Sequence, residues 1–352
     1  MDKTEQMGVA VIGCGYWGKN YLRVFDELPD SKLVAVCDQQ PDRLQEVAKR
    51  YPGVHLCSQV DEILARKDVD AVVVCTEPSS HYPVTRACLL AGKHALVEKP
   101  LTTSLAEAEE LAILSEEQVL TLMVGHTFIY NAGIRKVKEY VDQSDNVYYL
   151  YARRTNLGPI RRDVNAVWDL ATHDIAIFNY LLDGVPVWVN AVGAKVLRNC
   201  REDVGFVTLG YENGVVGHIH VSWADPNKTR ETVVVCSDKR IVFNDLNSLE
   251  QVRVFEKGVQ LMETNEPLSY GEYRLHIRDG NILSPRVEVT EPLKEQCRHF
   301  LHCVTTKERP ITDGWAGGDV LRVLEAIDRS IRTGGTQMEV ERNGHYSRQQ
   351  VA

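Results

Sequence analysis

Val9-Ala10-Val11-Ile12-Gly13-Cys14-Gly15-Tyr16-Trp17-Gly18 joins a short apolar run to three glycines in the pattern G-x-G-x-x-G. The run reads as a buried strand over residues 8–12, and the glycines open a helix over about 17–28. Gly13 permits the tight turn, Gly15 lets the backbone approach a pyrophosphate, and Gly18 lets helix and strand lie close. Free amides at the helix N-terminus receive the anion. Asp38 ends the next apolar run, 20 residues after Gly18. An acid there hydrogen-bonds a ribose 2′-hydroxyl and repels a 2′-phosphate. Gly13, Gly15, Tyr16, Trp17, Gly18 and Asp38 are therefore candidate contacts to a dinucleotide, NAD rather than NADP.

Outward from this turn the chain alternates strand and helix. Residues 33–37 read as a strand. Pro41–Arg50 reads as a helix, with Asp42 and Glu46 early and Lys49-Arg50 late, as the helix dipole favours. Residues 71–75 form a β-branched run suited to a strand buried on both faces. A helix over 80–91 stops at Gly92, and His94–Val97 is again a strand. A helix over 104–115 and a strand over 120–124 complete the series. Such alternation predicts a doubly wound parallel sheet. It places Glu98-Lys99-Pro100 at the carboxyl end of a central strand, the edge where open α/β sheets bind ligands. Cys75-Thr76-Glu77-Pro78-Ser79-Ser80-His81 ends a neighbouring strand on that edge. Thr76, Pro78 and His81 are thus candidate cofactor contacts, with helix capping by Ser79 or Ser80 as the competing use of this segment.

After Gly125 the pattern changes. A helix over 134–142, a strand over 147–155 and a helix over 167–182 precede long alternating strands over 187–255. Turn signals at Glu212-Asn213-Gly214 and Asp238-Lys239 mark these strands as an antiparallel sheet. Helices follow over 293–305 and 317–332, the C-terminal one a candidate to pack back on the first domain. The fold class is α/β: an N-terminal Rossmann doubly wound parallel sheet plus a C-terminal α+β domain with a large, mostly antiparallel open sheet. The expected division is 1–125 for NAD binding, 126–340 for substrate binding and oligomerisation, and 341–352 as a polar tail.

Composition narrows the function classes. The 352 residues are 44% hydrophobic and 25% charged, as in soluble globular proteins of this size. A net charge of -9 argues against nucleic acid as a partner. No apolar stretch approaches the roughly 20 residues of a membrane span. Nine scattered cysteines include no C-x-x-C and no paired His/Cys spacing, so no metal site is expected, and the thiols suit a reducing compartment. With no signal peptide at the charged N-terminus, the expected location is cytoplasmic.

Trp168-Asp169-Leu170-Ala171-Thr172-His173-Asp174 puts Asp169 and His173 four apart on one predicted helix face. The bland reading is a local ion pair. The chemical one is alcohol oxidation, which needs a base near the hydroxyl, and histidine, with a reference pKa of about 6.5, suits it. Lysine, normally near 10.4, acts as base only if shifted down and otherwise hydrogen-bonds the developing alkoxide.

Taken in order, Gly13-x-Gly15-x-x-Gly18, Asp38, Glu98-Lys99-Pro100 and Asp169-x-x-x-His173-Asp174 resemble the Gfo/Idh/MocA oxidoreductase family over essentially the whole chain. The resemblance implies a Rossmann domain and a second domain whose open sheet face builds homodimers or homotetramers. It implies Lys99, Asp169 and His173 as the catalytic trio, Glu98 and Lys99 beside the nicotinamide, and a cis Lys99–Pro100 bond. Arg153-Arg154 through Arg161-Arg162, followed by Asn165, is similar to the nucleotide-sugar branch, the UDP-N-acetylglucosamine 3-dehydrogenase group. Four arginines in ten residues suit a diphosphate or carboxylate; a solvated loop or an oligomer contact is the alternative. Substrate-binding candidates are Tyr130, Asn131, Arg154, Asn165, Asp169 and His173. The implied activity is NAD-dependent oxidation of a ring hydroxyl, at C3, of a nucleotide-activated amino sugar such as UDP-N-acetylglucosamine, with His173 as base assisted by Lys99. A dehydrogenase of a free polyol or monosaccharide, inositol-type, and a non-catalytic dinucleotide-binding regulator are the rival readings.

Overall fold

A computed structural model of the chain describes residues 6–158, 160–161, 164–197, 200–261 and 275–341. The chain forms two units: Met1–Tyr130 with Thr290–Arg322, and Asn131–Val289 with Val323–Ala352. The expected polar tail, apart from Glu341, lies outside the described residues, as does Arg162.

In the first unit β1 (Met7–Ile12) and α1 (Gly18–Glu27) precede β2 (Ser31–Cys37) and α2 (Pro41–Arg50). Next come β3 (His55–Cys57), α3 (Val60–Leu64), β4 (Ala71–Val74) and α4 (Pro78–Leu90). β5 (His94–Val97), α5 (Leu105–Glu117) and β6 (Leu122–Val124) complete the sheet. Its order is β3-β2-β1-β4-β5-β6, all parallel. The order reverses between β1 and β4, the switch point of a dinucleotide-binding Rossmann sheet. β4 is buried along its whole length, as a β-branched run between two helix layers must be. β3 and α3 escape the sequence reading because three and five residues are too short to show a period.

The second unit opens with α6 (Ala132–Asp142), β7 (Val147–Thr155) and α7 (Thr172–Leu182). β8 (Trp188–Ala194), β9 (Val204–Gly210), β10 (Val216–Ser222) and β11 (Thr229–Cys236) follow. β12 (Arg240–Asn244), β13 (Val252–Phe255), β14 (Gly258–Leu261), β15 (Leu275–Arg278) and β16 (Ile282–Leu283) come next, with β17 (Met338–Glu339) last. Nine of these strands form one sheet, β16-β13-β12-β11-β7-β10-β9-β8-β17. All its neighbours are antiparallel except β7 and β10. β14 and β15 pair separately. Leu150, Ala152 and Arg154 of β7 are buried, whereas Tyr149 and Arg153 on its other face are exposed. No described helix is long and apolar enough to cross a membrane.

Two features differ from the local pattern. First, α8 (Pro292–Thr306) and the start of α9 (Gly314–Arg332) group with the first unit, as does the 3-10 turn Thr127–Tyr130. Thr312 Oγ1 donates to the Val124 carbonyl at 2.7 Å, and Met123 bridges Asp313. Bonds between positions 188 apart leave no trace in local pattern. Second, residues 167–182 are not one α-helix: Val167–Ala171 is a π-helical turn and α7 begins only at Thr172. Asn165 Oδ1 accepts from the Trp168 amide at 2.9 Å, and the Trp168 indole donates to Asp328 Oδ2 at 2.8 Å, pinning the start of the wider turn.

Candidate active site

At the glycine turn, Gly13 has φ +91° and a Cβ there would stand 2.8 Å from the Cys75 carbonyl. A Cβ on Gly18 would come within 2.0 Å of the Gly13 carbonyl oxygen. Neither position tolerates a side chain, because β1, β4 and α1 close on the turn. Trp17 gives α1 no side-chain cap and no acid stands in its first turn, so its amides are left to an anion. Tyr16 is 85% and Trp17 46% exposed. Beside them an open cleft of about 390 Å³ is lined by Gly15, Tyr16, Lys19, Asn20 and Arg43.

Asp38, at the end of β2, is buried. Its Oδ2 accepts from the Cys14 amide at 2.8 Å and the Cys14 thiol at 3.3 Å, and its Oδ1 from the Gln40 amide at 2.8 Å. Arg43 Nη1 lies 3.3 Å away. Burial pushes this carboxyl up, but the Gln40 and Cys14 donors and the Arg43 charge outweigh it and hold it below the ordinary carboxylate value. The Cys14 thiol is driven up to about 12, by burial first and Asp38 second. A glycine cradle, an open helix N-terminus and an ionised acid at the β2 end fit a dinucleotide with a free ribose 2′-hydroxyl.

On the same carboxyl edge, the Lys99–Pro100 bond is cis, and the Glu98 amide donates to the Val74 carbonyl at 2.9 Å. Tyr21 Oη donates to Glu98 Oε1 at 2.7 Å and the Lys99 amide to Glu98 Oε2 at 3.1 Å. Pro78 is buried at the start of α4, and Thr76 Oγ1 accepts from Ser80 Oγ at 2.8 Å. His81, expected to line the cofactor, is buried and bridges two loops. Its Nδ1 is 2.8 Å from the Pro100 carbonyl and its Nε2 3.1 Å from that of Thr76. Tyr130, expected at the sugar, is buried, with its hydroxyl 3.1 Å from Thr312 Oγ1, because the 3-10 turn folds it inward. His126 is buried with neither ring nitrogen hydrogen-bonded. Burial, and then the Lys99 charge, lower its pKa to about 3.

In the second unit, Asp169 lies in the π-helical turn and His173 in the first turn of α7. Because π bonds run i→i+5, the expected i, i+4 face is not that of a regular helix. Arg161 Nη1 donates to Asp169 Oδ1 at 3.3 Å. Three residues expected at the sugar carry hydrogen bonds within the chain. Arg154, buried, grips Asp174 through Nε at 3.0 Å and Nη2 at 2.8 Å. Asn131 caps α6, its Oδ1 accepting from the Gly133 amide at 2.8 Å, and its Nδ2 donates to Asp245. Asn165 caps Trp168 and donates to Glu202 Oε2 at 3.1 Å. Among the described residues no group of three or more His, Cys, Asp or Glu could hold a metal ion. Tyr21 and Gln296 carry contacts to Glu98 and to each other that no motif announces, since each is recognisable only by its partner.

Two family models match the chain. One, described as an oxidoreductase family with an NAD-binding Rossmann fold, covers residues 7–126, and the other, the GFO/IDH/MocA C-terminal domain, covers 148–242. Among curated proteins, 4-carboxy-2-hydroxymuconate-6-semialdehyde dehydrogenase from Sphingobium sp. is 33% identical over 200 residues, 54% of this chain and 63% of that protein. The chain thus spans less than two thirds of that relative. UDP-N-acetylglucosamine 3-dehydrogenase from Acidithiobacillus ferrooxidans is 28% identical over 318 residues, 90% of this chain and 94% of that one. Its solved structure superposes with a TM-score of 0.79 at 24% identity, covering 94% of this chain and 99% of that one. The WlbA dehydrogenase from Bordetella pertussis, solved with NADH and UDP-GlcNAcA, gives 0.77 at 21% identity, covering 96% and 100%. At these identities the two structural likenesses bear on the fold alone.

Proposed function

The chain belongs to the Gfo/Idh/MocA family of NAD-dependent oxidoreductases, and from that premise we propose that it oxidises a ring hydroxyl, at C3, of a nucleotide-activated amino sugar such as UDP-N-acetylglucosamine. The observation that carries this is the near full-length likeness to UDP-N-acetylglucosamine 3-dehydrogenase, 28% over 90% of the chain. The cation at Asp169, Arg161 at 3.3 Å, supports it by supplying positive charge beside the base-bearing segment.

NAD, when bound, supplies the hydride acceptor. Gly13, Gly15 and Gly18 admit its pyrophosphate and Asp38 its ribose. His173 takes the hydroxyl proton, for which an imidazole near neutrality is matched. Lys99 hydrogen-bonds the oxygen as it becomes an alkoxide. Asp169 orients the imidazole or the sugar. Lys99 adds a second role beside the nicotinamide, with Glu98, Thr76 and Pro78 on the same edge.

NADH absorbance with a panel of sugars tests the reading. UDP-N-acetylglucosamine is expected to be oxidised, and myo-inositol to be inert at the same concentration. Oxidation of myo-inositol alone would establish the free-polyol activity instead. Tight NAD binding with no NADH from any sugar would identify a regulator.

A further inference from the structure

Tyr21 has no exposed surface, yet its hydroxyl hydrogen-bonds two side chains far away in sequence. It donates to Glu98 Oε1 at 2.7 Å and accepts from Gln296 Nε2 at 2.8 Å. Gln296, equally buried on α8, accepts through Oε1 from Thr127 Oγ1 at 2.9 Å. The polarity runs one way: Thr127 to Gln296, Gln296 to Tyr21, Tyr21 to Glu98. Each bond strengthens the next in a low-dielectric interior, and the half-buried Cys75 and the buried Cys297 stand near Tyr21. Gly125 keeps the corner tight, since a Cβ there would lie 3.2 Å from Tyr21 Oη and 3.3 Å from Glu98 Oε1.

All four residues belong to the first unit, so the relay is a property of the nucleotide-binding fold. A buried carboxylate is expensive, and an apolar residue of similar size would stabilise the core at least as well. What the donors do is favour the anion: the Tyr21 hydroxyl meets one oxygen and the Lys99 amide the other. The carboxylate stands at the end of β5. Asp38, at the end of β2, takes the adenosine ribose, so the strands across the switch point, β4 to β6, carry the nicotinamide half. An oxidised nicotinamide bears a positive charge that the reduced ring lacks.

We propose that Tyr21 and Gln296 are positioning residues that hold Glu98 as an anion at the nicotinamide half, and that this relay makes the site discriminate in favour of the oxidised cofactor. The inference rests on the family's NAD binding and is independent of the sugar. Titrating the full-length protein with NAD and with NADH, in the absence of substrate, separates it from the reading of the activity. Tyr21→Phe removes one oxygen and is expected to weaken NAD binding about tenfold, the worth of a hydrogen bond to a charged group. NADH binding is expected to stay within about twofold. Gln296→Leu, which leaves the Tyr21–Glu98 bond but removes its donor, is expected to shift the NAD/NADH ratio the same way by less, and it decides the matter if Tyr21→Phe does not fold. A parallel loss of both affinities, or an unchanged ratio in a folded variant, would overturn the proposal.

Discussion

His126 shows how much one side chain can report. Buried with no hydrogen bond to either nitrogen and close enough to feel the Lys99 charge, it stays neutral down to a pKa of about 3. In the unfolded chain it titrates near 6.5. Between those values the unfolded state binds the extra proton, so the contribution of His126 to stability is complete above pH 6.5 and is lost as the pH falls toward 3. The slope is about 1.4 kcal/mol per pH unit. Unfolding free energies from urea titrations at pH 4 to 5.5 for the native chain and His126→Leu should diverge by that slope; parallel curves would mean the ring is charged when folded. Asp38 makes a different prediction. Asp38→Ala removes both the ribose acceptor and the repulsion of a 2′-phosphate, so NAD affinity should fall by about tenfold while NADP affinity rises. Equilibrium dialysis with both cofactors checks it, and an unchanged NAD/NADP ratio would exclude the role. Asp38, Gly13 and Lys99 were legible because each sits at a fixed offset from a strand end. His126 and Tyr21 were not, since burial and partnership across the fold have no spacing in the sequence.

Among elements, the segment from 160 to 182 departs furthest from its sequence pattern. The apolar spacing reads as one α-helix, and nothing local announces a π turn. The turn is fixed by tertiary bonds: Asn165 to the Trp168 amide, and the Trp168 indole to Asp328. Burial raises the Asp328 carboxyl, and the indole bond opposes that rise. Its neighbours in an arginine-rich run suggest Arg154 as a sugar ligand. The alternation of β7 turns it inward, whereas Arg153 faces out, and inside it meets Asp174, the residue after His173. That bidentate pair ties β7 to α7. Arg154→Met would strand a buried carboxylate and should cost about 3–5 kcal/mol. Adding Asp174→Leu should recover most of that loss, because two apolar groups replace a pair whose desolvation offsets much of its attraction. Chemical denaturation of the two variants measures it. If the double variant is no more stable than Arg154→Met, the pair is not what joins strand to helix.

At the scale of the molecule, the parallel first sheet and the antiparallel second sheet were readable from period, while the strand order, with its short β3 at the edge, and the contacts that group residues 290–322 with the first unit, such as Thr312 with Val124, were not, since neither has a spacing in the sequence. By the proposed route, oxidation of one hydroxyl draws on Lys99 and His173 in a single step. Groups that act as a unit lose their effects together rather than multiplicatively. Lys99→Ala and His173→Ala are each expected to lower kcat by about 10²–10⁴-fold, the range of general acid–base assistance, with NAD affinity nearly unchanged. The double variant is then expected to be no worse than the poorer single one. If the two losses multiply instead, the residues serve separate steps, and Lys99 does not assist the proton transfer to His173.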